Sequence, residues 1–251
     1  MIRIAAVGDI HFGPDAAGSL RPHFRQLDEH ADLLLLAGDL SRRGRLNEAE
    51  ALARELADTS VPVVAVLGNH DYESDLETDF RAVLEDAGVQ VLEGTSTVIE
   101  VRGSRVGVAG TVGFGTGFPG ASCADFGERE MKAFVARSRH LAAGLERALT
   151  ELDCDLRVAL MHYAPIPDTL AGERLEIYPF LGSYHLGEAL DRAGADIAFH
   201  GHAHRGVEKG ATPAGIPVRN VAQPVIRRPY NLYELQVPTS GRQATLERSR
   251  A

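Results

Sequence analysis

Three short apolar runs near the N-terminus, Ile2–Val7, Leu33–Ala37 and Val63–Leu67, constrain this chain more than any other feature of it. Between them lie stretches with apolar residues at helical spacing, Leu20–His30 and Leu46–Asp58, and a third such stretch, Leu76–Ala87, follows. The run Leu33–Ala37 reads LLLLA and has no polar face. A strand of that kind must be covered on both sides, which is the condition of a parallel sheet sandwiched by other layers. Strands alternating with helices predict βαβ units and a mainly parallel, doubly covered sheet.

After Gly88 the rhythm changes. Val89–Leu92, Thr97–Val101 and Arg105–Ala109 read as strands joined by short turns such as Arg102–Gly103–Ser104. They predict a second, more antiparallel sheet. Arg129–Leu152 is a long helical stretch with Gly144 inside it. Leu156–Met161 and Asp196–Phe199 are strands again, with a helix from about Leu186 to Ala193. The tail alternates short strands at Ile216–Val221, Leu232–Val237 and Ala244–Glu247. No repeat, low-complexity tract or composition break divides the chain, so one domain over residues 1–251 with two sheets is expected. Two segments fit neither rhythm: the glycine-rich Gly113–Phe126, and Ala164–Tyr184, which has little regular pattern. Long irregular stretches in a compact domain usually serve function.

Composition limits the partners. With 44% apolar and 24% charged residues the chain is ordinary for a globular protein. A formal charge of −9 argues against a general binder of nucleic acid or anionic membrane, which needs a positive field. The chain has no Trp and 6% aromatics, little from which to build stacking platforms for single strands. No apolar stretch reaches the ~18 residues of a membrane span, and the N-terminus runs straight into a strand pattern rather than a leader. Cys123 and Cys154 form neither a metal spacing nor a disulfide framework, which fits a reducing compartment. The expected location is cytoplasmic and the expected partner a small molecule. Oligomeric state is left open.

Ligand sites in open α/β sheets lie beyond the carboxyl ends of the strands. Five strand ends here carry side chains able to bind a metal. Ile2–Val7 leads into GDIH, with Asp9 and His11; Leu33–Ala37 into GDL, with Asp39; Val63–Leu67 into GNHD, with Asn69, His70 and Asp71. Leu156–Met161 leads into His162, and Asp196–Phe199 into HGHAH, with His200, His202 and His204. Each piece alone is an ordinary turn or a structural histidine. Structural histidines, however, have no reason to gather at one edge of a sheet.

The ordered set GDIH, GDL, GNHD, His and GHAH, spanning residues 8–204, resembles the calcineurin-like metallophosphoesterases. The resemblance implies an α/β fold, a four-layer αββα sandwich of two mixed sheets flanked by helices. It also implies two divalent metal ions, one held by Asp9, His11 and His204, the other by Asn69, His162 and His202, with Asp39 bridging. The implied reaction is cleavage of a small phosphate monoester or diester by a hydroxide bridging the two ions, so no Ser or Cys nucleophile is needed. Imidazole, carboxylate and amide ligands without sulfur suit Mn, Fe, Zn or Ni, whereas Mg prefers an all-oxygen shell.

By the same resemblance His70 faces the substrate and stabilises or protonates an ester oxygen, and Asp71 is the candidate to orient it. The chain departs from the related protein Ser/Thr phosphatases at GDLSRRG, Gly38–Gly44. Arg42 stands there where those enzymes carry the acid that partners the catalytic His, while Arg43 aligns with a phosphate-binding Arg. Arg205, directly after His204, is a second candidate for phosphate contact, and Arg227–Arg228 read as surface charge. His200 matches no ligand position and reads as a buried support. His23, His30, His140 and His185 read as surface or cap residues. Gly115–Gly120 spells G-x-G-x-x-G but contains Pro119 and opens no helix, so a rim loop is expected rather than a dinucleotide loop. Ala164–Tyr184 begins just after His162 and is expected to form a lid or specificity wall. Two rival functions are a nuclease, which the charge disfavours, and a non-catalytic scaffold, which would show gaps in the ligand set. The set has none.

Overall fold

The computed structural model describes residues 1–237, so the predicted strand Ala244–Glu247 lies outside the described residues. In chain order the strands are β1 (Ile2–Val7), β2 (Leu33–Ala37), β3 (Val63–Val66), β4 (Val89–Val91), β5 (Thr95–Val101), β6 (Ser104–Thr111), β7 (Gly117–Phe118), β8 (Ala121–Ser122), β9 (Leu156–Met161), β10 (Ile197–His200), β11 (Lys209–Ala211), β12 (Pro217–Asn220) and β13 (Asn231–Leu235). The first sheet has the order β13-β1-β2-β3-β4, with β13 antiparallel to β1 and the rest parallel. The second has the order β11-β12-β10-β9-β6-β5.

Strand alternation sets the layers. Ile2, Ile4 and Ala6, with Leu33, Leu35 and Ala37, turn toward the second sheet and meet Val106, Val108, Leu156, Val158 and Phe199. Their neighbours Ala5, Val7, Leu34 and Leu36 turn the other way, onto Phe24, Leu52, Phe80 and Leu84 of the helical layer. On the far side of the second sheet, Ala159, Met161 and Ala198 pack under Leu145, Leu149, Leu186 and Leu190. This gives four layers, helix–sheet–sheet–helix, as expected. All five residues of β2 are buried, which is why that strand could be written without a polar side chain. At ~1.5–3 kcal/mol for each large apolar side chain removed from water, these three interlayer contacts dominate the stability.

Several details differ from the sequence reading. Val89–Leu92 does not open the second sheet; β4 pairs in parallel with β3 and closes the first. The second sheet is antiparallel only at its two outer pairings, β5 with β6 and β11 with β12. Its three central pairings are parallel. The helices Arg129–Thr150 and Tyr184–Ala193 supply the crossovers that parallel neighbours require. Leu20–His30 is two short helices, Arg21–Phe24 and Leu27–His30, pinned by buried Phe24 and Leu27. Strand β11 and the small hairpin β7–β8 inside the glycine-rich loop had no clear pattern in the sequence.

Candidate metal centre

Parallel pairing brings the carboxyl ends of β1, β2 and β3 to one edge, because Val7 sits opposite Leu36 and Ala37 opposite Val66. In the second sheet Thr111 pairs with Met161 and Leu160 with Phe199, so β9 and β10 end side by side. The loops beyond are stitched by backbone hydrogen bonds. The Asp9 N–H donates to Gly38 O at 2.9 Å, that of His11 to Asp39 O at 3.0 Å, and that of Gly201 to His162 O at 3.1 Å.

The backbone at this edge is strained. Among the described residues seven non-glycine residues have positive φ, and four of them are predicted ligands: Asp9, His11, Asp39 and His202. Such conformations cost about 1–3 kcal/mol each and persist where the surroundings over-determine them, typically at functional sites. Two flanking glycines are equally constrained. A Cβ on Gly68 would collide with Asp39 Oδ1, and one on Gly201 with Asp9 Oδ2.

All seven predicted ligands converge. Asp9, His11 and His204 have donor atoms within 4.8 Å of one another, and so do Asp39, His162 and His202. A third such group joins His11, Asp39 and His70. His204 Nε2 lies 2.9 Å from Asp9 Oδ1. His162 Nε2 lies 2.9 Å from Asn69 Oδ1 and 3.3 Å from Asp39 Oδ1. Asp39 Oδ2 lies 3.8 Å from His11 Nε2, so its carboxylate stands between the two groups.

The donor set fits cations. His162 Nδ1 is 3.0 Å from the Ala37 carbonyl oxygen, which can only accept, so Nδ1 carries the proton in the neutral ring. The lone pair of Nε2 then points at two oxygens that also carry lone pairs. His162, Asn69 and Asp39 could together hold a cation, which would relieve that repulsion. His202 repeats the pattern: its Nε2 is 3.0 Å from Phe180 O, leaving Nδ1 as the free lone pair. Metal-binding histidines are commonly oriented this way, by a carbonyl on the second nitrogen.

The electrostatics differ between the donors. Burial, with the neighbouring His162, pushes His202 down to about 4, keeping it a neutral donor. Burial also lowers His11. Burial alone would raise the Asp9 carboxyl, but the hydrogen bond from His204 and the charges of His162 and His204 overrule it and lower it. His204 is raised by its hydrogen bond to Asp9.

His70 and Asp71 separate. His70 Nδ1 lies 2.7 Å from Arg42 O and its ring stands 4.7 Å from that of His11, with Nε2 4.0 Å from Asp39 Oδ2. Asp71 does not orient it, contrary to the sequence expectation. Its buried carboxylate instead accepts from the backbone N–H groups of Gly68, Leu40 and Ser41 and from the Ser41 hydroxyl. Adjacent residues of the short turn Asn69–Tyr72 point apart, and Asp71 clamps the β2 and β3 loops together. Burial and the Asp39 charge push its carboxyl up to about 6 despite those donors. The backbone carbonyl of Arg42, the residue at the missing acid's position, holds the His70 ring.

Glu73 is a functional candidate that the sequence reading missed. Its Oε2 is 3.7 Å from His70 Nδ1 and its Oε1 is 3.4 Å from Arg43 Nη1, which holds exposed Arg43 beside the histidine. Only its place three residues after His70 could have flagged it. Arg205 donates its backbone N–H to Glu173 Oε1 at 2.7 Å.

The two irregular loops form the rim together. Thr116 and Gly117 donate backbone N–H groups to Gly182 O, and buried Thr116, Ser138 and Ser183 share hydroxyl hydrogen bonds. His200 is fully buried, with Nε2 2.8 Å from Thr169 Oγ1 and Nδ1 2.7 Å from Gly201 O. Burial pushes it down to about 4, so it is a neutral support between β10 and the 164–184 segment.

A site of this kind, on this fold, defines a metal-dependent phosphoester hydrolase. The sequence matches the calcineurin-like phosphoesterase family model over residues 2–206, and the chain belongs to that family. Among solved structures it is similar to the phosphopantetheinyl hydrolase PptH of Mycobacterium tuberculosis, with a TM-score of 0.66 at 14% identity, covering 95% of this chain and 98% of that one. It is also similar to TT1561 of Thermus thermophilus, with a TM-score of 0.56 at 19% identity, covering 87% and 88%. The putative 5'-nucleotidase of Staphylococcus aureus superposes with a TM-score of 0.57 at 18% identity, covering 87% of this chain and 48% of that one. At these identities the likeness is one of fold. Among curated proteins no sequence match was found. Among the described residues no helix is long and apolar enough to cross a membrane.

Proposed function

We propose that this protein hydrolyses a small phosphate monoester or diester with two divalent cations drawn from Mn, Fe, Zn or Ni. One observation carries the reading. The Asp39 carboxylate lies 3.3 Å from His162 Nε2 and 3.8 Å from His11 Nε2, joining the group Asp9, His11 and His204 to His162 and His202, with Asn69 Oδ1 2.9 Å from His162. Cations held in those two groups would neutralise the ester's oxygens and supply the attacking water in deprotonated form.

The chain's own residues do the rest. Asp39 sets the spacing of the two sites. The backbone N–H of His70 donates to Asp39 Oδ1 at 2.8 Å, and that of His202 donates to both oxygens of Asp9, so each carboxylate is held in place. Since Arg42 O takes the Nδ1 proton, His70 presents Nε2 to the cluster. Protonated there, it hydrogen-bonds a phosphoryl oxygen or gives its proton to the leaving oxygen. Such a step is typically worth ~10²–10⁴-fold. Arg43, steadied by Glu73, and Arg205 are the candidates for a non-bridging oxygen.

The test is turnover of 4-nitrophenyl phosphate and of its bis-aryl diester after chelation and reloading with each metal. Loss on chelation, recovery with Mn, and loss in Asp39→Ala and His70→Ala are expected. Wild-type rates in both variants would overturn the assignment.

A further inference from the structure

Beside the ligand cluster lies a cavity of about 130 Å³, walled by Asn69, Tyr72, Gly113, Phe114, Arg137 and Tyr163. It shares Asn69 with the second metal group. Its Tyr163 ring stands 4.4 Å from that of His202, so its wall is continuous with the ligands. Phe114 and Tyr163 pack as tilted rings 5.8 Å apart, and Phe134 lies 4.7 Å behind Phe114.

The volume sets the guest. An apolar cavity of about 150 Å³ accommodates one benzene. The space beside Phe114 and Tyr163 is of the order of one six-membered ring. Arg137 sets the chemistry at the mouth. Its guanidinium rests 4.8 Å above the centre of the Phe114 ring, with the Glu93 carboxyl in electrostatic reach but no salt bridge or side-chain hydrogen bond to it among the described residues. Arg42 and Arg43, by contrast, are each paired with an acid. A flat cation with free donors beside a ring-sized slot is matched by an acceptor on the edge of a ring.

We propose that this cavity binds the organic part of the ester: a single planar six-membered ring against Phe114 and Tyr163, with an acceptor oxygen on the ring bonded by Arg137. The substrate class is thus a one-ring phosphate ester, aryl or pyrimidine-bearing, and the inference rests on the phosphoesterase reading above. Phe114 falls in the glycine-rich segment expected to serve function, whereas Arg137, on a helix surface, carried no sequence signal.

Phosphonates test it without the differing reactivity of leaving groups. Calorimetric titration of the Mn-loaded full chain compares ethylphosphonate, phenylphosphonate and 4-carboxyphenylphosphonate. The phenyl compound is expected to bind about five- to tenfold tighter than the ethyl one. The carboxylate is expected to add about a further fivefold. Phe114→Leu keeps apolar volume and removes the first gain; Arg137→Gln, at an exposed helix position, removes the second. Equal binding of all three by wild type, or gains that survive both substitutions, would overturn the proposal. If Mn binds but no phosphonate does, the phosphoesterase reading fails and this one falls with it.

Discussion

Replacing Asp71 by Ala separates a clamp from a catalytic partner. The carboxylate is fully buried and accepts from three backbone N–H groups, those of Leu40, Ser41 and Gly68, and from the Ser41 hydroxyl. A buried donor left without an acceptor costs about 1–3 kcal/mol, so three amides give about 3–9 kcal/mol. Opposing this, burial and the Asp39 charge raise the carboxyl from 3.8 to about 6, and at ~1.4 kcal/mol per unit its removal returns about 3 kcal/mol. The middle of the range is a net destabilisation of about 3 kcal/mol for Asp71→Ala, with roughly half that for Asp71→Asn, which keeps one acceptor. Urea unfolding at pH 7.5, with the slope held common, reads the difference as a midpoint shift. Asp71→Asn should also keep far more turnover than His70→Ala, because it does not touch the His70 ring. An Asp71→Ala protein more stable than wild type would refute the clamp.

Two further outcomes follow from other contacts. Arg3 and Arg102 converge on Asp32, whose side chain is 8% exposed. Burial raises that carboxyl, but the hydrogen bonds from the two arginines prevail and hold it at about 2. A carboxyl lowered in the folded state stabilises above its ordinary value and ceases to as pH falls through the folded one. Asp32→Asn should therefore cost about 1–2 kcal/mol at pH 7, with the gap to wild type closing between pH 4 and 2 in denaturant titrations. Gly68→Ala would drive a Cβ into the Asp39 backbone nitrogen, well inside van der Waals contact. It should lower the unfolding midpoint and displace Asp39, which weakens metal uptake measured by calorimetry; unchanged uptake would contradict the close-approach argument.

The strands that build the site were legible because each solves one problem. LLLLA must be buried on both faces, so β2 is central, and an Asp two residues beyond its end, after Gly38, needs a reason beyond turn formation. The same logic exposed Asp9, Asn69, His162 and His202. What stayed hidden depends on pairing and direction rather than composition. Val89–Val91 is apolar enough for either sheet, and its partner is fixed by the helix Glu77–Asp86 returning it beside β3. The direction of Asp71 is set by a one-turn helix, whose successive side chains diverge. Glu73 and Arg137 carry no local signature, since each acquires its role only when another segment arrives against it.

Metal content tests the central claim most directly. After loading with Mn and gel filtration, elemental analysis of wild type should give two ions per chain, and Asp39→Ala, lacking the carboxylate between the two groups, fewer than one. A wild-type protein that retains no ion, or an Asp39→Ala protein that still retains two, would contradict the shared dinuclear centre.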